Sequence, residues 1–174
     1  MLHAAVIIPI IRYVEPAVVF IKRAAHMRRN PGQIAFPGGI VEAADGADPG
    51  TTALREFEEE LGISATRVKI VDRLDPVVTL SLGVSVTPLV GVLEPPLVYR
   101  LDESEIAGVQ EVPIAALYAP GAVREGTETI PRGGRDVVVS TWIFDHGELH
   151  VWGATARMLH GLLARFPLVI DLPL

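Results

Sequence analysis

The chain contains no cysteine, which excludes disulfides, thiolate metal sites and a cysteine nucleophile. It is also short of basic residues: 15 lysines and arginines stand against 21 aspartates and glutamates, a formal charge of −6. That balance argues against a nucleic-acid backbone as the main partner, which needs a basic surface. A small phosphorylated substrate needs only a few local cations. No apolar run approaches the ~18 residues of a membrane span. The stretch "AAVIIPII" near the start has no basic segment ahead of it and no convincing small-residue cleavage site after it. Rich in β-branched residues, Val6–Ile11 reads as a buried strand. The expectation is a cytoplasmic protein, monomer or homodimer, without a membrane or nucleic-acid partner.

What is present is apolar: 49% of the 174 residues are hydrophobic, enough for one domain, 1–174, with a real core. Short β-rich segments fall at roughly 3–12, 17–22, 33–36, 66–78, 84–93, 108–112, 137–144 and 148–151. A central helix is well punctuated. Asp48 can cap it, Pro49 suits the first helical position, and Gly62 accepts the left-handed conformation just past the end. A last helix is expected from about Gly153 to Phe166. Residues 119–136, "APGAVREGTETIPRGGRD", are expected to form a mobile loop, with a lid as the second reading. The apolar tail "FPLVIDLPL" is expected to pack back on its own domain rather than on another subunit.

The central helix carries "REFEEE", residues 55–60. At roughly 100° per residue, Glu59 lies about −60° and Glu60 about +40° from Glu56, so three carboxylates share one arc. Leu54, Phe57 and Leu61 form a separate apolar stripe, and Glu58 points away. Like charges so spaced repel. A divalent cation such as Mg²⁺ or Mn²⁺, which prefers hard oxygen ligands, would offset that repulsion. A solvated acidic face is the alternative. Ahead of the helix, "FPGG" (Phe36–Gly39) ends a strand with glycines that let backbone approach a ligand.

The segment Gly39-x5-Asp45-x9-Arg55-Glu56-Phe57-x-Glu59-Glu60-x-Gly62-Ile63 resembles the Nudix box of the Nudix hydrolases. The usual box has glutamate in place of Asp45 and seven residues, not nine, before the arginine. The stretch Arg23-Ala24-x3-Arg28-x3-Gly32-x3-Phe36-Pro37-Gly38-Gly39 is similar to the signature of the coenzyme A pyrophosphatase branch. Further matches lie in Val86–Leu93, Asp102–Ile114 and Val151–Leu159, so the similarity runs through nearly the whole chain. Asn30 stands where that branch often has histidine, and Val84 where an aromatic often follows glycine. The loop before Arg55 is about one residue longer than the branch leads one to expect.

The resemblance implies an α/β fold, an α/β/α sandwich with a mixed central sheet between helices. It implies Mg²⁺- or Mn²⁺-dependent hydrolysis of the diphosphate of coenzyme A, giving 3′,5′-adenosine diphosphate and 4′-phosphopantetheine. Glu56 and Glu60 would be metal ligands, Glu59 a third ligand or the base, and the Gly38 carbonyl a further ligand. Arg55 would brace the glutamates. Arg23 and Arg28 would contact substrate phosphates beside Gly39. Which glutamate acts as base stays open. His26 reads as an exposed bystander. Among Glu103, Glu105 and Glu111, Glu105 is the best candidate for a further acid. A rival substrate is ADP-ribose or another nucleoside diphosphate derivative. From another class comes a non-catalytic nucleotide-binding regulatory domain, which the presence of all three box glutamates disfavours.

Overall fold

The computed structural model describes residues 1–79 and 83–174. Its elements run β1 (His3–Ile11), β2 (Ala17–Arg23), β3 (Ile34–Ala35), β4 (Gly38–Ile40), α1 (Pro49–Leu61), β5 (Lys69–Arg73), β6 (Val77–Val78) and β7 (Ser85–Leu93). They continue with β8 (Ile106–Pro113), α2 (Ile114–Leu117), β9 (Val123–Arg132), β10 (Arg135–His146), β11 (Leu149–Trp152) and α3 (Gly153–Arg165). The larger sheet is mixed. β1 and β7 are parallel, from His3 opposite Ser85 to Ile11 opposite Leu93, and the other pairs are antiparallel. On its other side β1 pairs first with β4 and then with β2. Pro9, which has no amide donor, falls at that change of partner, where a ladder bond is not missed.

Alternation along β1 sends successive side chains to opposite faces. Ala5 and Ile7 join Ala53, Phe57 and Leu61 of α1 in one core. Val6, Ile8 and Ile10 join Met158, Leu159 and Leu162 of α3 in the other. The expected helix–sheet–helix layering is therefore present. The α3 face is shared with a second sheet, ordered β11–β10–β9, which adds Phe144, Leu149 and Val151 to that core.

Three expectations need correction. Residues 119–136 are not an irregular loop, because most of them build β9 and the start of β10. Arg132 pairs with Arg135 across Gly133 and Gly134, both left-handed at φ 60° and 78°. That is the backbone a two-residue hairpin turn demands and glycine supplies. Pro131 is tolerated because β9 is an edge strand. Second, the strand read over 66–78 is broken into a 3₁₀ turn at Ala65–Arg67, β5 and β6, with Pro76 in the gap. Third, only part of the tail packs back. Leu172 is buried and Val169 and Leu174 pack against the α3-side core, whereas Leu168 and Ile170 are exposed. Among the described residues no helix is long and apolar enough to cross a membrane.

Candidate active site

The site is built on α1 and the glycine turn that faces it. The caps act as read. The Asp48 carboxylate accepts from the Gly50 amide at 2.9 Å, and Gly62 is left-handed at φ 65°. Glu58 points away and takes the Ala65 amide. Anchored by Phe57 and Leu61, the helix presses its acidic arc toward β4. A Cβ on Gly38 would lie 2.3 Å from the Ala5 carbonyl oxygen, and one on Gly39 would lie 2.3 Å from Glu56 Oε1. Gly38, which meets backbone, therefore requires glycine, whereas at Gly39 the clash is with the Glu56 side chain alone, so Gly39 is what allows the Glu56 carboxylate to lie against the turn.

Glu60 is only 3% exposed. Its Oε2 accepts the Gly38 amide at 3.0 Å, while its Oε1 is buried without a partner among the described residues. Burial is the largest influence on its proton affinity. The Gly38 amide opposes it, Glu56 and Glu105 add to it, Arg23 lowers it, and the net result pushes the pKa up to about 8. Glu56 is shifted upward too, by burial first, against the pull of Arg55. Glu59 differs: its side chain is 58% exposed and turns to Arg55.

Arg55 organises this arc. Its Nε and Nη2 donate to the two carboxylate oxygens of Asp45 at 2.9 and 3.0 Å. Its Nη1 reaches Glu56 at 2.9 Å and Glu59 at 3.1 Å. Asp45 is itself fixed by the Thr52 hydroxyl and the Glu42 amide, each at 2.9 Å. The Arg55 guanidinium and these donors hold the Asp45 carboxyl well below the usual range. Asp45 thus stands where the usual box has glutamate and fixes Arg55 by a bidentate pair. Sequence reading placed Asp45 in the pattern but not this role; Thr52, on the inner face of the same helix, was missed.

Among the described residues no three acidic or imidazole side chains converge in a finished cation cage, and both Glu56 and Glu59 lean to Arg55. The donors nonetheless fit a divalent cation. An orphaned, desolvated carboxylate oxygen on Glu60 lies on the same arc as a half-buried Glu56, and all the ligands are hard oxygens.

Beyond Glu60, Arg23 leads into a cleft of about 440 Å³. Arg23, Arg28 and Arg29 line it together with Thr129, Ile130, Pro131 and Trp152. Arg23 belongs to both places: it lines the cleft and its charge acts on Glu60. Its buried Nε has no partner among the described residues. Asn30 also lines the cleft and is left-handed at φ 49°; Val84 is buried. His26 is hydrogen-bonded to the Ser104 carbonyl at 2.7 Å, which ties the arginine loop to the segment carrying Glu105. Glu105 acts electrostatically on both Glu56 and Glu60. Glu111 does not join them; it accepts the Tyr13 and Tyr99 hydroxyls.

A mixed sheet, a glycine turn and a crowded carboxylate helix beside an arginine-lined cleft define a hydrolase of phosphorylated small molecules. The NUDIX domain model matches residues 1–132, and the chain belongs to the Nudix hydrolase family. It is 41% identical over 160 residues to an Enterobacter sp. (strain 638) protein described as uncharacterized Nudix hydrolase NudL, covering 92% of this chain and 80% of the relative. The NudL of Escherichia coli (strain K12) is 38% identical over the same shares. Solved structures agree on the fold. A C. elegans Ap4A hydrolase in a binary complex superposes with a TM-score of 0.54 at 19% identity, over 64% of this chain and 80% of that one. The M. smegmatis Nudix hydrolase RenU gives 0.54 at 20% identity, over 66% and 71%.

Proposed function

We propose that residues 1–174 act as one divalent-cation-dependent coenzyme A pyrophosphatase, releasing 3′,5′-adenosine diphosphate and 4′-phosphopantetheine. The observation that carries this reading is the place of Arg23, shared between the carboxylate face and a cleft with two further arginines. A substrate with a diphosphate and a separate phosphate matches that arrangement of charge.

Glu56 and Glu60 would hold Mg²⁺ or Mn²⁺, with the Gly38 carbonyl as a further donor and Glu59 as a third ligand or the base. When bound, the cation supplies neutralisation of the diphosphate charge and a more acidic water. Arg55, fixed by Asp45, keeps Glu56 and Glu59 in register. If Glu59, exposed and paired with Arg55, is not a ligand, it accepts the proton of the attacking water, and Glu105, whose charge acts on Glu56 and Glu60, is the second candidate for the base. Arg23 binds the diphosphate where it enters the site. Arg28 takes the 3′-phosphate, with the Gly39 backbone lying against the substrate.

Asn30, which lines the cleft where the branch often has histidine, favours one second reading: ADP-ribose or another nucleoside diphosphate derivative. Product analysis by chromatography, with coenzyme A and ADP-ribose at equal concentration in Mg²⁺, separates the two. Release of 3′,5′-adenosine diphosphate and phosphopantetheine, abolished by chelator, is expected. Cleavage of ADP-ribose alone would keep the chemistry and remove the substrate.

A further inference from the structure

The cleft is lined by two unlike sets of residues, and their chemistry says which end of the substrate enters it. One set is Arg28 and Arg29, from the loop after β2. The other comes from the β9–β10 hairpin and from the end of β11, through Ile130, Pro131 and Trp152. The backbone that carries Trp152 is tied to the framework: Trp152 lies in the ladder opposite Ile143, the amide of Gly153 donates to the Thr141 hydroxyl at 2.9 Å, and the Thr155 hydroxyl reaches the Ile34 carbonyl at 3.3 Å.

A phosphopantetheine arm is long, flexible and, past its phosphate, uncharged. It would leave Arg28 and Arg29 facing neutral amides. The adenosine 3′-phosphate end offers a partner to both sets: a further anion for the arginines and a planar base for the apolar and aromatic residues. Arg23, at the join with Glu60, takes the diphosphate that lies between the two ends. We infer that the cleft holds the nucleoside end of the substrate, with Trp152 and Pro131 as the platform for the base and the phosphopantetheine arm outside this cleft. This makes the hairpin a specificity element. The identity of the second phosphate rests on the coenzyme A reading; the placement of the base does not.

The test titrates the full chain in chelator with 3′,5′-adenosine diphosphate and, separately, with 4′-phosphopantetheine, reading intrinsic fluorescence from its two tryptophans, Trp142 and Trp152. The nucleotide is expected to quench emission and phosphopantetheine to leave it unchanged. Trp152→Leu should lose the quench and bind the nucleotide about tenfold more weakly, and Trp152→Phe should restore binding because it keeps an aromatic face. In turnover, Trp152→Leu should raise KM for coenzyme A about tenfold with kcat nearly unchanged, as for loss of uniform binding. Quenching by phosphopantetheine instead, or unaltered nucleotide affinity in Trp152→Leu, overturns the assignment. If that variant does not fold, Trp152→Phe decides: it should bind the nucleotide as the parent does but lose the quench, and a quench that persists, carried by Trp142, overturns the assignment. Coenzyme A turnover without nucleotide quenching sinks this inference alone. Nucleotide quenching without coenzyme A turnover sinks the proposed function alone.

Discussion

Glu60 lies within the fold with one oxygen on the Gly38 amide and the other without a partner among the described residues, an arrangement that stability alone does not favour. Glu60→Gln should lower kcat roughly a hundredfold or more, beyond the low end of a single proton-transfer group. The same variant should melt higher than the parent in chelator, since it removes a desolvated acid. Near-normal turnover in a folded variant would take Glu60 out of the site. Asp45 is a positioning residue, and Asp45→Ala should weaken metal affinity about ten- to hundredfold, as loss of an outer partner does. The Mg²⁺ dependence of turnover measures it, and Asp45→Glu should recover most of the loss. The three glutamates were legible because a helix converts spacing into direction. That Glu60 would be buried and Glu59 exposed was not, because angular position does not say which edge of the arc packs on β4. Arg55's partner was hidden for a related reason: Asp45 is brought to it by the fold of a loop.

At the scale of elements, α1 could be bounded from Asp48, Pro49 and Gly62 because each terminus uses a local device that sequence carries. The β9–β10 hairpin was misread for the opposite reason. Its glycines and Pro131 look like irregular chain, yet Gly133 and Gly134 are the turn and Pro131 sits on an edge strand. Which strand lies at an edge is decided by distant parts of the chain. Replacing Gly133 and Gly134 by Asn-Gly should leave stability nearly unchanged, since that pair suits the same turn. Replacement by Ala-Ala should cost about 1–2 kcal/mol per forced left-handed residue. Urea unfolding compares them, and equal stability would rule out a two-residue turn. Because Thr129–Pro131 line the cleft, Ala-Ala should also raise KM for coenzyme A more than it lowers kcat.

At the scale of the whole molecule, the charge stored beside α1 is coupled to unfolding, because that helix packs directly on the central sheet. The parallel pairing of β1 with β7 that fixes this arrangement was not visible in the sequence, which shows strands but not their partners. Glu60 has a folded pKa of about 8 against an ordinary 4.5, so between those values the folded state holds a proton that the unfolded state has lost. Stability in chelator should therefore fall as pH rises through that window and level off above it, where both states are ionised. Glu56 shifts in the same direction. A cation that binds only the folded, ionised form reverses the trend. Thermal melts from about pH 5 to pH 9, in chelator and in excess Mg²⁺, should show little gain from Mg²⁺ at the acid end and a growing gain toward the alkaline end. In Glu60→Gln the chelator curve should flatten and most of the gain should vanish. A Mg²⁺ effect of equal size at every pH would mean that the cation stabilises the protein without displacing a proton from this pair of glutamates, and the ligand assignment would then move to the exposed carboxylates, Glu59 first among them.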